Sequence, residues 1–263
     1  MLPILLKIGP ITIYTVSLLH TAGILTGIWW MYKEAQKAGA HTQELLDLSA
    51  IIVVWSIIGS RVFSILFDGS LKWYLQHPVH MLMLWNGGFT FYGGFLFGLA
   101  AGIWYIRKHN LDAWRISEWA APGLALGIAV GRLGCFASGD SYGKPTDLPW
   151  GVTFTDPHSL APTGVTLHPT QIYSTLVLLI VFGMLLWWRR RQHYKGELFL
   201  VFMILYGLVR SLVEIFRNDP QGVYLNGLIT TSQIISLIVV IPALWLFLNK
   251  LKKYNKLYPE PHH

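Results

Sequence analysis

Residues 48–67 read Leu-Ser-Ala-Ile-Ile-Val-Val-Trp-Ser-Ile-Ile-Gly-Ser-Arg-Val-Phe-Ser-Ile-Leu-Phe, with one charge, Arg61. A helix needs about 20 predominantly apolar residues to cross the hydrocarbon core of a bilayer. This run meets that need, as part of a candidate span at about 46–67. Six more runs of the same kind lie at about 12–32, 88–106, 117–137, 169–188, 197–216 and 227–248. The fold class expected is therefore an all-α integral membrane protein of about seven transmembrane helices. Residues 1–263 are expected to form a single polytopic transmembrane domain.

The composition supports that reading. Charged residues make up 13% of the chain, against roughly 25% in a soluble domain, and the mean hydropathy is +0.47. Twelve Trp and twelve Tyr suit the headgroup level at the two membrane faces. Met1–Pro10 holds one Lys and no small-residue cleavage site follows a short apolar core, so the first long run is expected to be a retained span rather than a signal peptide. The single cysteine, Cys135, excludes an intrachain disulfide and a cysteine metal cluster.

A net charge of +7 in a soluble chain would suggest nucleic acid. Here the basic residues flank the apolar runs. Alternate connections carry Lys33 and Lys37; Arg107, Lys108 and Arg115; Arg189, Arg190, Arg191 and Lys195; and Lys250, Lys252, Lys253 and Lys256. The opposite connections carry Lys7, Lys72, Lys144 and Arg217. Thirteen against four predicts the N-terminus outside and the C-terminus in the cytoplasm. The longest connection, about 138–168, then faces outward.

Three arginines remain, Arg61, Arg132 and Arg210, all inside expected spans. Each costs about 2.5–3.5 kcal/mol at the bilayer centre on insertion scales, so each needs a partner. One solution is structural: backbone carbonyls, snorkelling, or Glu214 one helical turn after Arg210. The other is a bound anion, because a guanidinium fork matches phosphate oxygens and the abundant phosphate of a membrane is the lipid headgroup. Arginines alone do not separate an enzyme from a lipid carrier.

Four polar stretches interrupt the apolar runs. The densest is Gly-Arg-Leu-Gly-Cys-Phe-Ala-Ser-Gly-Asp-Ser-Tyr-Gly at 131–143. Its four glycines imply irregular backbone, tolerated at membrane depth only inside protein or along a cavity. The second is Asn86–Gly94, and the third is His-Pro-Thr-Gln-Ile-Tyr at 168–173, where Pro169 suits a helix start. The fourth places Tyr206, Arg210, Glu214 and Arg217 on one helical face. No Walker loop, His-Glu-x-x-His or Gly-x-Ser-x-Gly elbow is present. His77 and His80 read as interfacial residues.

These four stretches, in this order on such a chain, resemble the bacterial prolipoprotein diacylglyceryl transferase family. The strongest element runs from Gly131-Arg132-Leu133-Gly134 through Gly139-Asp140 to Gly143, and Tyr14 takes the place of a tyrosine important in the family. The resemblance implies transfer of the diacylglyceryl group of phosphatidylglycerol to the lipobox cysteine of a preprolipoprotein, forming a thioether and releasing glycerol phosphate. The substrate brings its own nucleophile. The enzyme must hold phosphate, stabilise the departing oxygen and let the thiol lose its proton. By the resemblance, the catalytic residues are Arg132, Arg210, Tyr206 and Tyr92. The phospholipid-binding residues are Arg132, Arg210, Tyr14, Arg61, Gly131, Ser138, Asp140, Gly143, His168 and Glu214.

No cofactor or metal is expected. The partners implied are phosphatidylglycerol, preprolipoprotein lipobox peptides and the bilayer, with no nucleic acid, and the location is the bacterial inner (cytoplasmic) membrane, multi-pass. The sequence departs from the family pattern at Tyr92, where many members carry His, and at Cys135, Ser138, Asp140 and Ser174. Cys135 reads as a small packing residue. The alternatives are a non-catalytic phospholipid-binding carrier or transporter, a divergent inactive relative and a purely structural subunit. Transporters often show repeated halves, and this sequence shows none.

Overall fold

The computed structural model describes residues 2–8, 11–68, 71–83, 87–218, 223–224 and 229–258. Asn86, the first residue of the second Gly-rich stretch, lies outside them. Helix dominates, at 71%. The helices are α1 (Thr15–Lys37), α2 (Thr42–Phe67), α3 (Leu71–Gln76), α4 (Phe91–Lys108), α5 (Ala113–Ser138), α6 (Thr170–Trp188), α7 (Glu197–Glu214) and α8 (Thr231–Leu257). Among the described residues, four segments are long and apolar enough to cross a membrane: Thr42–Phe67, Ala113–Ser138, Thr170–Arg191 and Thr231–Leu257. Four such segments are the pattern of a multi-pass membrane protein. Helix α7 carries three charged residues, Glu197, Arg210 and Glu214, which lower its apolarity.

The helix boundaries follow local chemistry. The Asp112 side chain accepts the backbone N–H groups of Trp114 (3.1 Å) and Arg115 (3.2 Å) at the start of α5, a side-chain cap of otherwise orphan donors. A reciprocal capping box of Thr230 and Gln233 opens α8. Helix α1 starts at Thr15 rather than near residue 12, because the preceding residues form an antiparallel hairpin of β1 (Ile4–Ile8) and β2 (Ile11–Tyr14). Their β-branched, alternating residues suit a strand. Two smaller pairs are β3 (Val152–Thr153) with β4 (Thr166–Leu167), and β5 (Val223–Tyr224) with β6 (Ile229–Thr230).

The chain divides into two compact units, one made of residues up to Met31 with those from Ser117 onward, the other of Tyr32–Ile116. In the first unit, Ala121, Ala125, Val181, Leu185, Leu198, Val201 and Phe202 form the buried core. They join α5, α6 and α7, and Phe247 of α8 packs on them. In the second unit, α2 packs on α4 through close glycine contacts, with Leu45, Leu48, Ala101 and Tyr105 buried.

Candidate active site

The α7 stripe read from spacing is present, and it organises the site. Arg210 donates from Nη1 to Oε2 of Glu214 one turn later, and from Nη2 to Oγ of Ser232 on α8 at 2.7 Å. Arg217, just past the end of α7, donates to the same Glu214 oxygen (3.5 Å) and to Ser141 Oγ (3.0 Å). Glu214 is therefore one buried carboxylate shared by two guanidinium groups. Arg132 of α5 makes no ion pair among the described residues. It lines a narrow crevice, with a free volume of only about 10 Å³, together with Ser174 of α6 and with Tyr206 and Arg210 of α7. The Tyr206 ring stacks on Phe202, with centroids 5.6 Å apart.

Counted by formal charge, Arg132, Arg210 and Arg217 set against Glu214 and Asp140 leave one net positive charge. In a low-dielectric surrounding such an excess favours a bound anion. The planar donors of arginine are suited to phosphate oxygens.

The segment after α5 is sewn to the rest of the site by its backbone. Gly139 and Ser141 both adopt positive φ, +75° and +59°, which turns the chain sharply. Gln171 Nε2 donates to the Asp140 carbonyl and Thr170 Oγ1 to the Ser141 carbonyl, both at 2.7 Å. On the other side, Lys144 N–H donates to Phe216 O (2.8 Å) and Asn218 N–H to Tyr142 O (3.2 Å). Lys144 Nζ adds a bond to Ile215 O at 2.8 Å, closing the C-terminal end of α7. The loop thus bridges the start of α6 and the end of α7, and Ser141 is held against Arg217. Further along, Phe154, Ala161 and Leu167 make a small core of the loop's own. The His158 amide holds the Asp156 carboxyl below the usual carboxylate range.

The sequence-expected residues fall into three groups. Arg132, Tyr206, Arg210 and Glu214 come together. Gly131, Ser138, Asp140, Gly143 and His168 shape the surrounding backbone. Ser138 Oγ donates to Cys135 O at 3.1 Å and receives the Asp140 amide at 3.4 Å, Gly131 faces the His20 ring, and Gly143 lies directly against the His168 backbone. The Tyr173 hydroxyl accepts from Trp150 Nε1 (2.8 Å) and is hydrogen-bonded with His168 Nδ1 (3.1 Å). The third group stands apart. Tyr14 ends β2 half-exposed and makes no hydrogen bond to the cluster among the described residues. Tyr92, in the first turn of α4, packs edge-on against Phe91. Arg61 donates its five N–H groups to loop carbonyls, those of His80, Met81, Met83, Gly87 and Gly88.

Sequence reasoning did not single out Ser141, Arg217, Ser232 or Gln171 as site residues. Ser141, Arg217 and Gln171 lay inside the polar stretches, so a signal existed; Ser232 had none. A wider groove along α4, lined by Ala100, Ile103, Trp104, Arg107 and Lys108, lacks convergent polar groups, and the narrow cleft is the better candidate.

The family model described as prolipoprotein diacylglyceryl transferase matches residues 3–249. A phosphatidylglycerol–prolipoprotein diacylglyceryl transferase of Clostridium tetani is 33% identical over 247 residues, covering 94% of this chain and 97% of the relative. One of Solidesulfovibrio magneticus is 33% identical over 260 residues, covering 96% of each. One of Rhodospirillum centenum is 34% identical over 254 residues, covering 93% of this chain and 90% of the relative.

Proposed function

The chain belongs to the prolipoprotein diacylglyceryl transferase family, and we propose that it transfers the diacylglyceryl group of phosphatidylglycerol to the lipobox cysteine of preprolipoproteins. A carbon–sulfur bond forms at the glyceryl carbon. The carbon–oxygen bond to the phosphate breaks, glycerol phosphate departs and the thiol proton is lost. The observation that carries the reading is the cleft shared by Arg132, Arg210 and Tyr206. Its one excess positive charge matches the single negative charge of a phosphodiester. As the carbon–oxygen bond breaks, charge grows on the phosphate, and fixed guanidinium donors stabilise that growth more than they stabilise the ground state.

Arg132 and Arg210 are assigned to the lipid phosphate and the leaving group. Glu214 fixes Arg210 and Arg217. Gly131, Ser138, Asp140, Gly143 and His168 hold the loop that frames the phosphate. Tyr206 positions the incoming sulfur. Tyr14 is assigned to the lipid and Tyr92 to the catalytic set, from their motifs alone. Arg61 has no N–H left for a phosphate, and its assignment moves from the lipid to the loop it binds. The working topology is a single transmembrane domain of seven spans in the bacterial inner membrane, with the N-terminus and the loop at 138–168 outside.

The test mixes purified protein with phosphatidylglycerol and a lipobox peptide and reads peptide mass. A gain of one diacylglyceryl group is expected. Arg132→Ala and Arg210→Ala should each lower the rate by about 100- to 1000-fold, the usual effect of removing one transition-state donor. Arg132→Ala is the cleaner variant, because it breaks no ion pair. No mass gain from lipid-bound wild-type protein would refute the transferase and leave a carrier.

A further inference from the structure

Helix α1 lies antiparallel against α5 at a backbone distance that side chains would prevent. A methyl group on Gly23 would strike the Gly127 carbonyl oxygen, and one on Gly27 would come within 3.2 Å of the Gly123 carbonyl oxygen. Two turns further along α5, Gly134 lies against Val16 and Leu19. Small residues of this kind let membrane helices approach closely, and here they fix the register. That register puts His20 over α5, with its ring beside Gly131 and its Nε2 4.0 Å from the Cys135 sulfur.

The hydrogen bonding assigns the tautomer. His20 Nδ1 lies 2.8 Å from the Val16 carbonyl oxygen. A carbonyl only accepts, so Nδ1 carries the proton and Nε2 is the accepting nitrogen. The Cys135 S–H is its partner at 4.0 Å, so this nitrogen already faces a thiol donor. The charges acting on this sulfur are Arg132 and Asp140 from α5 and its following loop, and Arg217 after α7. The imidazole lies against Gly131, which directly precedes Arg132, and touches Cys135 one helical turn after it. An ionisable side chain within a span is costly unless it has work to do.

We propose that His20 is the general base of the reaction: its Nε2 accepts the proton of the lipobox cysteine thiol as the sulfur attacks the glyceryl carbon. The new bond is carbon–sulfur, the broken bond is carbon–oxygen, glycerol phosphate leaves with the electron pair, and the imidazolium later returns its proton to water. The inference rests on the transferase reading. Neither the sequence motifs nor the cleft lining singles out His20.

The test measures initial rates of full-length protein with phosphatidylglycerol and lipobox peptide between about pH 6 and pH 9.5, a range that spans the ordinary thiol pKa of about 8.5. His20→Gln removes the base. His20→Asn also removes it but keeps a side-chain amide donor for the Val16 carbonyl, and guards against a folding defect. Thermal unfolding and lipid binding are measured for each variant. A general base contributes about 100-fold or more, so the folded variants should lose at least that near neutral pH. Above about pH 8.5 the peptide thiol ionises unaided, and the deficit should shrink. A folded variant within threefold of wild type, or one with the same deficit at every pH, overturns the proposal. Wild-type protein that transfers nothing would defeat the transferase reading and this inference together. A transferring wild type with indifferent His20 variants would defeat the inference alone.

Discussion

The three arginines of the expected spans show how one residue type takes opposite roles. Arg61 donates to His80 O at 2.7 Å, Met81 O at 3.1 Å, Gly88 O at 3.2 Å, Met83 O at 3.4 Å and to Gly87 O. A guanidinium has five N–H donors, and all five are used. Arg132 has no carboxylate partner among the described residues and lines the cleft. Arg210 lies between these cases, tied to Glu214 and Ser232 yet still facing the cleft. The Arg210–Glu214 pair was legible, because it depends only on a four-residue spacing. The satisfaction of Arg61 was not, because its acceptors lie 19 to 27 positions away and carry no side-chain signature. Arg61→Lys should keep the charge but supply only three donors, leaving carbonyls unpaired. Each buried unpaired group costs about 1–3 kcal/mol, so the thermal unfolding temperature should fall clearly while phosphatidylglycerol binding by the folded fraction persists. Unchanged stability together with lost lipid binding would return Arg61 to the phosphate.

At the scale of elements, the long helices were readable and the short strands were not. Length and apolarity locate α2, α5, α6 and α8 to within a few residues, except that α8 continues through its basic last turns to Leu257. The run at Ile11–Tyr14 looked like the start of a span, since a short apolar run does not distinguish helix from strand. Its pairing with Ile4–Ile8 makes it a hairpin. The loop at 138–168 read as glycine-rich and irregular. Its order comes from long-range backbone bonds to Phe216 and Asn218 and from its own small core, none of which has a local periodicity. Gly143 sits tightly against the backbone. A methyl there would collide with the His168 carbonyl and lie within 2.9 Å of the Thr170 side chain. Gly143→Ala should cost about 1–3 kcal/mol, as overpacking does, and should lower transfer activity by shifting Ser141 and Arg217. Calorimetry and the peptide-mass assay check both effects. Full stability and activity would mean the loop does not frame the site.

For the whole molecule, what matters is which side each connection faces, since the proposed reaction needs a lipobox thiol and a lipid headgroup to reach the same cleft. Thirteen basic residues on one set of connections against four on the other give the orientation through the positive-inside bias. In the proposed topology the ordered loop at 138–168 lies outside and the short α1–α2 connection in the cytoplasm. The only native cysteine, Cys135, is buried, so single reporters are readable. Thr163 in the long loop and Gln36 in the last turn of α1 are both exposed, and neither changes the basic count. In intact spheroplasts, Thr163→Cys should react with a membrane-impermeant maleimide, while Gln36→Cys should react only after the membrane is opened. The reversed pattern would invert the topology. It would also place the loop that carries Ser141 in the cytoplasm, on the side where the basic connections were assigned. Labelling of both reporters in intact spheroplasts would mean an even number of crossings between them and would refute the seven-span arrangement, because α2, α4 and α5 should separate the two sites by three spans.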